Sequence, residues 1–252
     1  MLSKLIAKIA LTIVVIATVT ITAYGAEDET QKLNTEQLNN ETMQELVLEQ
    51  VIRPIDENDH VYVSIDRRLN DAEMQTNAKY IYYYLKEWGW SSNAIYAVLG
   101  NMEFESTINP GIHQEGCSKS GSFGYGIVQW TPARKLWKWA DKKCLDRNSL
   151  YTQIVYLNQM AKSNEGWIAH KGHYQSFSEF IIDNEHSVAW LTESFERNYE
   201  RPRHRTTSTR VKNAEKWENY FNELAMANAE EVHDNPCATI VYVASTSEIV
   251  EQ

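Results

Sequence analysis

The sequence predicts a mainly α-helical domain of about 150 residues, flanked by an N-terminal extension and a C-terminal tail. All eight tryptophans lie between Trp88 and Trp217, so the residues that can form a core are concentrated there. Residues 60–225 hold 20 Lys or Arg against 19 Asp or Glu, which leaves the net charge of -10 to the two ends of the chain. A region of this length is large enough to bury a single hydrophobic core.

The N-terminal extension begins with a segment typical of an export signal. Residues 1–8 carry two lysines, and residues 9–24 are uncharged and largely apolar. Ala23 and Gly25 are small residues at the positions that a signal peptidase requires. The apolar run is also close to the minimum length of a membrane span. We therefore expect residues 1–25 to be a signal peptide or a membrane anchor, with the rest of the chain exported.

The next part of the chain has the composition of a linker. Residues 27–59 carry ten Asp or Glu against two basic residues and contain no Trp, Tyr or Phe, so they can bury little apolar surface. We predict an acidic linker or stalk over residues 26–69, a folded domain over residues 70–225, and a tail over residues 226–252. The sequence assigns the tail no function.

One segment of the domain has clear helical periodicity. Ser91 or Ser92 can cap a helix whose apolar residues fall on one face, namely Ile95, Val98, Leu99 and Met102. Residues 109–111 (NPG) should end this helix and leave Glu105 in its last turn. The negative end of the helix dipole disfavours a charged carboxylate there. A carboxyl group that keeps its proton is what general acid catalysis needs.

A second glutamate precedes Glu105 on the same helix. At about 100° per residue, Glu103 and Glu105 lie to either side of the apolar stripe, so we expect them not to share one cleft. Further on, Trp137 and Trp139 alternate with lysines. We interpret this segment as another helix with a half-buried face.

Several short motifs follow one another along the domain. They are Glu105-Ser106, 109–110 (NP), 124–132 (GYGIVQWTP), 150–153 (LYTQ) and 195–202 (FERNYERP). Together they resemble the phage tail lysozymes and, more distantly, the goose-type lysozyme and lytic transglycosylase superfamily. The resemblance covers roughly residues 70–225. It implies a lysozyme-like fold of helices with a small irregular or β loop region.

The resemblance also implies a function and a site. The domain would cleave the β-1,4 bond between MurNAc and GlcNAc in peptidoglycan glycan strands, with Glu105 as the general acid. Gly124 and Gly126 allow the backbone to approach a ligand closely, and aromatic and amide side chains suit sugar rings. We expect the substrate-binding residues to be Ser106, Tyr125, Gln129, Trp130, Tyr199 and Glu200.

A glycosidase needs a second carboxylate as nucleophile or base. Glu200, Asp141 and Glu115 are the candidates. Without one, the 6-hydroxyl of the sugar could attack instead, which would make the protein a lytic transglycosylase that leaves 1,6-anhydro ends.

The cysteines leave two alternatives open. Cys117 and Cys144 flank the glycine-rich loop, and in an exported chain we expect them to form a disulfide, which leaves Cys237 over. If they are reduced, either one paired with His173 could serve a cysteine peptidase or amidase.

A non-catalytic wall-binding module is a further alternative.

We expect no cofactor and no metal, because His170 and His173 have no third ligand at metal-site spacing. We interpret the following basic cluster as a solvated loop, or as contacts to carboxylates of wall peptides, and not as a nucleic-acid site: Arg197, Arg201, Arg203, His204, Arg205 and Arg210. An export signal is a departure from the phage tail setting. It suggests a cell-made or mobile-element protein, at the wall or tethered to the membrane, that serves a secretion, conjugation or tail-type assembly.

Overall fold

The computed structural model describes residues 62–234, with side chains up to residue 227. The described part is mainly helical, as predicted. Its helices are α1 (Asp71–Glu87), α2 (Ser92–Ser106), α3 (Arg134–Lys142), α4 (Leu150–Ser163), α5 (Phe177–Phe180), α6 (Val188–Phe195), a π-helix (Glu196–Glu200) and α7 (Thr207–Asp234).

Helix α2 begins where the capping signal predicts. The hydroxyl of Ser91 accepts a hydrogen bond from the amide of Ala94, which satisfies one of the free amides of the first turn. The four apolar residues of the predicted face are all buried. The helix ends at Ser106, ahead of the NPG turn, because Thr107 adopts a left-handed backbone with φ of 55°. Glu105 is therefore in the last turn, as the sequence predicts.

Helix α2 is the centre of the domain and packs against α1, α6 and α7. It approaches α7 closely at Gly100, where a Cβ atom would lie 2.6 Å from the Cβ of Ala214. One face of α7 enters the core at helical spacing, with Ala214, Trp217 and Phe221 all buried. This close crossing brings residues of α7 to the end of α2 that carries Glu105.

The folded part begins before the predicted boundary at residue 70. The side-chain amide of Asn77 pairs with both backbone groups of Val63, and Leu69 is buried. Asn109 in the NPG turn donates to the carbonyls of Ile65 and Arg67. Residues 62–69 therefore pack on the helices. At the other end, α7 continues to Asp234, past the predicted domain end at residue 225.

The loop between α2 and α3 is irregular, as predicted. Within residues 62–234 the β structure consists of two isolated bridges, His113 with Tyr125 and His170 with His173. Among the helices described, none is both long and apolar enough to cross a membrane. The predicted signal or anchor at residues 1–25, most of the predicted linker, and Cys237 lie outside the described residues.

Candidate active site

A cleft of about 910 Å³ opens between the end of α2, the glycine-rich loop, α4 and the π-helix. Its walls combine aromatic rings with carboxyl, amide and basic groups. Five of the predicted site residues line it: Glu105, Gln129, Trp130, Tyr199 and Glu200. Further lining residues are Arg68, Glu103, Phe104, Thr107, Gln114, Glu115, Val128, Thr131, Pro132, Lys135, Tyr156, Met160, Glu165, Gly166, Arg201, Pro202 and Asn213.

Glu105 is held from behind by a buried arginine. The guanidinium of Arg210 donates a hydrogen bond from Nη2 to Oε1 of Glu105. The side chain of Arg210 is 1% exposed, whereas that of Glu105 is 20% exposed. The guanidinium therefore anchors one carboxylate oxygen while part of the side chain faces the cleft. Hydrogen bonds between charged groups of this kind are short and strong, so this contact fixes the position of the carboxylate.

Arg210 also joins two other elements to this contact. Its Nη1 donates to the side-chain oxygen of Asn101 at 3.0 Å, and its Nε lies 3.4 Å from Oε1 of Glu196. Glu196 is fully buried and accepts hydrogen bonds from the amide of Thr206 and the hydroxyl of Thr207. The network thus connects α2, the π-helix and α7 on the buried side of Glu105.

The contact of Arg210 with Glu105 is not predicted from the sequence, where Arg210 belongs to the basic cluster interpreted as a solvated loop. That interpretation is wrong for Arg210. A signal was present, since Arg210 stands four residues before Ala214 and seven before Trp217, on the buried stripe of α7. By contrast, Arg203 and Arg205 are exposed.

Glu200 ends the π-helix and lines the same cleft as Glu105. The residue is partly exposed, but its Oε1 is buried and has no hydrogen-bond partner among the described residues. Burial, and next the negative charge of Glu105, raise the pKa of Glu200 well above its usual range. Arg210 and Arg201 oppose this effect without cancelling it. The carboxyl group of Glu200 therefore favours its neutral form more strongly than an ordinary glutamic acid does.

The glycine-rich loop is fixed by a buried glutamine of the LYTQ motif. Gly126 has φ of 79°, and a Cβ there would collide with the side-chain amide of Gln153. That amide accepts from the backbone of Ile127 and donates to the carbonyls of Pro110 and Arg147. Gln153 therefore holds the NPG turn and the loop together, which explains why both glycine and glutamine occur in these motifs.

Trp130 and Tyr199, which both line the cleft, are joined by a hydrogen bond. The indole Nε1 of Trp130 donates to the hydroxyl of Tyr199 at 2.8 Å, and both residues are nearly buried. Gln129, just before Trp130, has a left-handed backbone with φ of 49°. Its side-chain amide donates to the carbonyls of Ile112 and Gly126. Strained backbone of this kind in a cleft is typical of functional sites.

Two predicted substrate-binding residues are not in the cleft lining. Ser106 is fully buried, and its hydroxyl donates to the carbonyls of Met102 and Ile127, so it joins α2 to the loop. Tyr125 is buried with its hydroxyl on the side chain of Asn148. Both side chains therefore support the loop from inside, in alternation with motif residues that line the cleft.

The set of carboxylates that line the cleft differs from the predicted set. Glu103 lines the cleft together with Glu105, so the prediction that they cannot share one cleft is wrong. The end of α2 lies across α7, and Glu103 reaches Lys216 at 2.6 Å on the other side of the crossing from Arg210. Of the candidate second carboxylates, Glu115 and Glu200 line the cleft, whereas Asp141 is exposed on α3 outside it.

The predicted disulfide is not formed. Cys117 and Cys144 are both free thiols, the first partly buried and the second exposed. Cys144 lies two residues after the end of α3 and has a left-handed backbone with φ of 55°. His173 is buried against the ring of Trp190, and its Nε2 lies 3.9 Å from Glu193. Burial lowers the pKa of His173. These contacts give no support to a cysteine–histidine catalytic pair.

The part of the chain that the structure describes holds no group of three or more His, Cys, Asp or Glu side chains placed to bind a metal ion. His170 and His173 form a backbone bridge with each other, with His173 packed inward and His170 exposed.

A helical domain with a glutamate at the end of its central helix, facing a cleft lined with aromatic rings, has the architecture of the lysozyme-like enzymes. The family model described as phage tail lysozyme matches residues 76–221, which is more than half of the sequence. The chain belongs to the phage tail lysozyme family.

The chain is also similar to morphogenesis protein 1 of Bacillus phage B103. The two are 40% identical over 157 residues, which cover 62% of this chain and 42% of that protein. The chain thus matches less than half the length of this relative.

Proposed function

We propose that the protein is a peptidoglycan glycosidase that cleaves the β-1,4 bond between MurNAc and GlcNAc, with Glu105 as the general acid. The observation that carries the proposal is the placement of Glu105, whose carboxyl group reaches the cleft while Arg210 holds it from behind. Membership of the phage tail lysozyme family supports a lysozyme-like activity on peptidoglycan.

The cleft has the size and composition for an oligosaccharide. Its volume of about 910 Å³ is at the upper end of the range for ligand pockets, about 300 to 1,000 Å³. Phe104, Trp130 and Tyr156 give it apolar surface on which sugar rings can stack. Gln129 and Asn213 add amide groups that can bond to hydroxyl and acetamido groups.

In the proposed reaction, protonated Glu105 donates its proton to the glycosidic oxygen. The bond between C1 and that oxygen breaks, its electron pair stays on the oxygen, and the leaving sugar departs with a free 4-hydroxyl. The oxocarbenium-like C1 then reacts with water, which forms a new C1–O bond and a new reducing end. The proton lost by the water returns to the enzyme.

Hydrolysis is our first proposal because two further carboxyl groups, Glu115 and Glu200, line the cleft and are candidates to direct a water molecule. The alternative is attack by the 6-hydroxyl of MurNAc, which would leave a 1,6-anhydro end. The two reactions differ in product mass by one water molecule.

The proposed place of action is outside the cytoplasmic membrane, at the cell wall, with the protein either released or anchored through residues 1–25. A relative is named as a morphogenesis protein of a phage. By analogy, we propose that wall cleavage serves a tail-type, secretion or conjugation assembly.

Digestion of peptidoglycan by purified variants tests this proposal. Glu105→Gln should lower the rate of fragment release by at least about 100-fold, since general acid catalysis contributes that much or more. Asp141→Asn is the matched control, because it removes an exposed carboxylate outside the cleft and should leave the rate unchanged. Unchanged cleavage by Glu105→Gln would overturn the proposal.

The products and inhibitors separate the alternatives. Mass spectrometry of the digest distinguishes reducing ends from 1,6-anhydro ends. Binding to the wall without any released fragments would indicate a non-catalytic module. Loss of activity on thiol alkylation, combined with full activity of Glu105→Gln, would indicate a cysteine enzyme.

A further inference from the structure

The proposed mechanism leaves the source of its proton unexplained. Glu105 must carry a proton to act as an acid, and one of its two carboxyl oxygens is already occupied by the hydrogen bond from Arg210. A second carboxyl group in the same cleft would supply this proton if it favours its neutral form.

Glu200 has these properties. It lies in the same cleft as Glu105, at the end of a π-helix, a rare element that often occurs at functional sites. Its Oε1 is buried and has no hydrogen-bond partner within the described residues. A charged oxygen in that position would lack both solvent and a donor, which is a large energetic cost.

The charged groups around Glu200 come from three elements. Glu105 on α2 exerts the largest electrostatic effect on it, and Glu196 on its own helix adds a smaller effect of the same sign. Arg210 on α7 and Arg201, which follows the π-helix, act in the opposite direction. Arg210 already bridges Glu105 and Glu196, and Arg201 donates to the carbonyls of Gly166 and Asn198, so both cations have other partners.

We propose that Glu200 and Glu105 share a single proton, which rests on Glu200 while the cleft is empty and is passed to Glu105 for catalysis. Glu200 acts through Glu105 and is thus a positioning residue for the proton. This inference rests on the proposed function of Glu105. Two nearby carboxyl groups hold one proton because both cannot easily be ionised at close range.

The proton balance closes over one turnover. Glu200 gives its proton to Glu105, directly or through one water molecule, and becomes a carboxylate. Glu105 gives the proton to the glycosidic oxygen as the C1–O bond breaks. The water that attacks C1 releases a proton, which returns to the pair of carboxyl groups and restores the starting state.

The pH dependence of Glu200→Gln tests the proposal on the full chain. Glutamine keeps the shape and neutrality of the protonated acid but cannot release a proton. At neutral pH we expect cleavage to fall by up to about 100-fold, the lower bound for the loss of general acid catalysis. Near pH 4, where an ordinary glutamic acid is about half protonated, the difference from wild type should largely disappear. The alkaline limb of the activity profile should move to lower pH.

A purely structural role would give a different result. If Glu200 serves only as a neutral packing group, the ratio of wild-type to variant activity should be the same at every pH. A constant ratio would overturn the proposal. Glu200→Asp is a second variant, which keeps a carboxyl group and should retain the alkaline limb of wild type even if its rate is lower.

Wild-type protein gives an independent test that does not depend on the folding of a variant. With carbon-13 in the glutamate side chains, NMR titration should show one carboxyl group that stays protonated at neutral pH. Absence of such a group would overturn the proposal. Failure of the proposed function is distinguishable, because Glu105→Gln would then remain active whatever Glu200 does.

Discussion

The guanidinium of Arg210 and the carboxylate of Glu105 are hydrogen-bonded although 105 positions separate them in the chain. The contact exists because α7 crosses α2 closely at Gly100 and places Arg210 beside the last turn of α2. The same contact therefore contributes to the stability of the domain and to the position of the proposed acid.

Replacement of Arg210 should damage both stability and activity. Arg210→Met keeps the bulk of the side chain but leaves Glu196 buried without a cation. Loss of one partner from a buried ion pair costs about 3 to 5 kcal/mol. Urea unfolding should show a loss of that size, and peptidoglycan cleavage should fall because Glu105 loses its anchor.

Arg205→Met is the control for this prediction. Arg205 is 53% exposed and lies 3.8 Å from Glu193. An exposed pair of this kind contributes at most about 1 kcal/mol, so the variant should be close to wild type. Equal stability of the Arg210 and Arg205 variants would contradict the network described here.

The buried acid should make stability depend on pH in a known direction. The pKa of Glu200 is raised in the folded protein, so its neutral form is fully compatible with folding below its unfolded pKa of about 4.3. As the pH rises from that value through the raised pKa, the unfolded chain releases the proton more readily and wild type loses stability. Glutamine stays neutral throughout.

Thermal unfolding at a series of pH values measures this effect. The melting temperature of Glu200→Gln should match that of wild type near pH 4 and exceed it increasingly toward neutral pH. The variant would then be more stable and less active, a combination typical of strained functional sites. A difference that shrinks as the pH rises would show that Glu200 is not buried as a neutral acid.

Glu103 lies in the same cleft as Glu105 but has a different partner. Its Oε1 accepts from Lys216, whose side chain is 48% exposed. Removal of this pair in Glu103→Gln should change stability by less than about 1 kcal/mol and leave most of the activity. Fragment release assayed beside Glu105→Gln makes the comparison. If Glu103→Gln were the less active variant, the assignment of the acid to Glu105 would be wrong.

The thiols provide a simple chemical prediction. Since Cys117 and Cys144 are free, alkylation of the folded protein without reductant should label Cys144 quickly and Cys117 more slowly. A bridge closing a loop of this size would add about 3 to 4 kcal/mol. The unfolding free energy should therefore not fall when reductant is added. Mass spectrometry that found both thiols unreactive would indicate that they are bridged.

Local patterns predicted the parts of the site that are encoded locally. The cap at Ser91 and the apolar face of α2 are set by residues within a few turns, so the position of Glu105 in the last turn followed from the sequence. The glycine loop and the cleft positions of Gln129 and Trp130 followed from motifs. The hydrogen-bond partner of Glu105 could not be predicted in this way, because Arg210 reaches it only through the crossing of two helices.

Other errors have the same physical origin. Spacing on a helical wheel places Glu103 and Glu105 on different flanks, but it does not show that the cleft extends around the end of α2. Motif membership did not distinguish Ser106 and Tyr125, which support the loop from inside, from residues that face the cleft. The buried state of Glu200 depends on the tertiary packing around the π-helix, for which the sequence gives no periodic signal.

The close crossing of α2 and α7 predicts the effect of Gly100→Ala. In an exposed helix, replacement of Gly by Ala favours folding by up to about 1 kcal/mol, because alanine has the higher helix propensity. In Gly100→Ala the new Cβ would lie 2.6 Å from the Cβ and the backbone nitrogen of Ala214. Backbone atoms cannot turn aside as a flexible side chain can, so α2 and α7 must separate. Overpacking of this kind costs about 1 to 3 kcal/mol, which exceeds the gain in propensity.

Separation of the two helices would also pull Arg210 away from Glu105. Gly100→Ala should therefore lose cleavage activity as well as stability, although neither Gly100 nor Ala214 lines the cleft. Adding Ala214→Gly removes the clash with the Cβ but leaves the one with the backbone nitrogen, so the double variant should recover only part of both losses. Denaturant unfolding and fragment release, measured on the same samples, decide the matter. A stabilised and fully active Gly100→Ala would show that the close crossing does not position the acid.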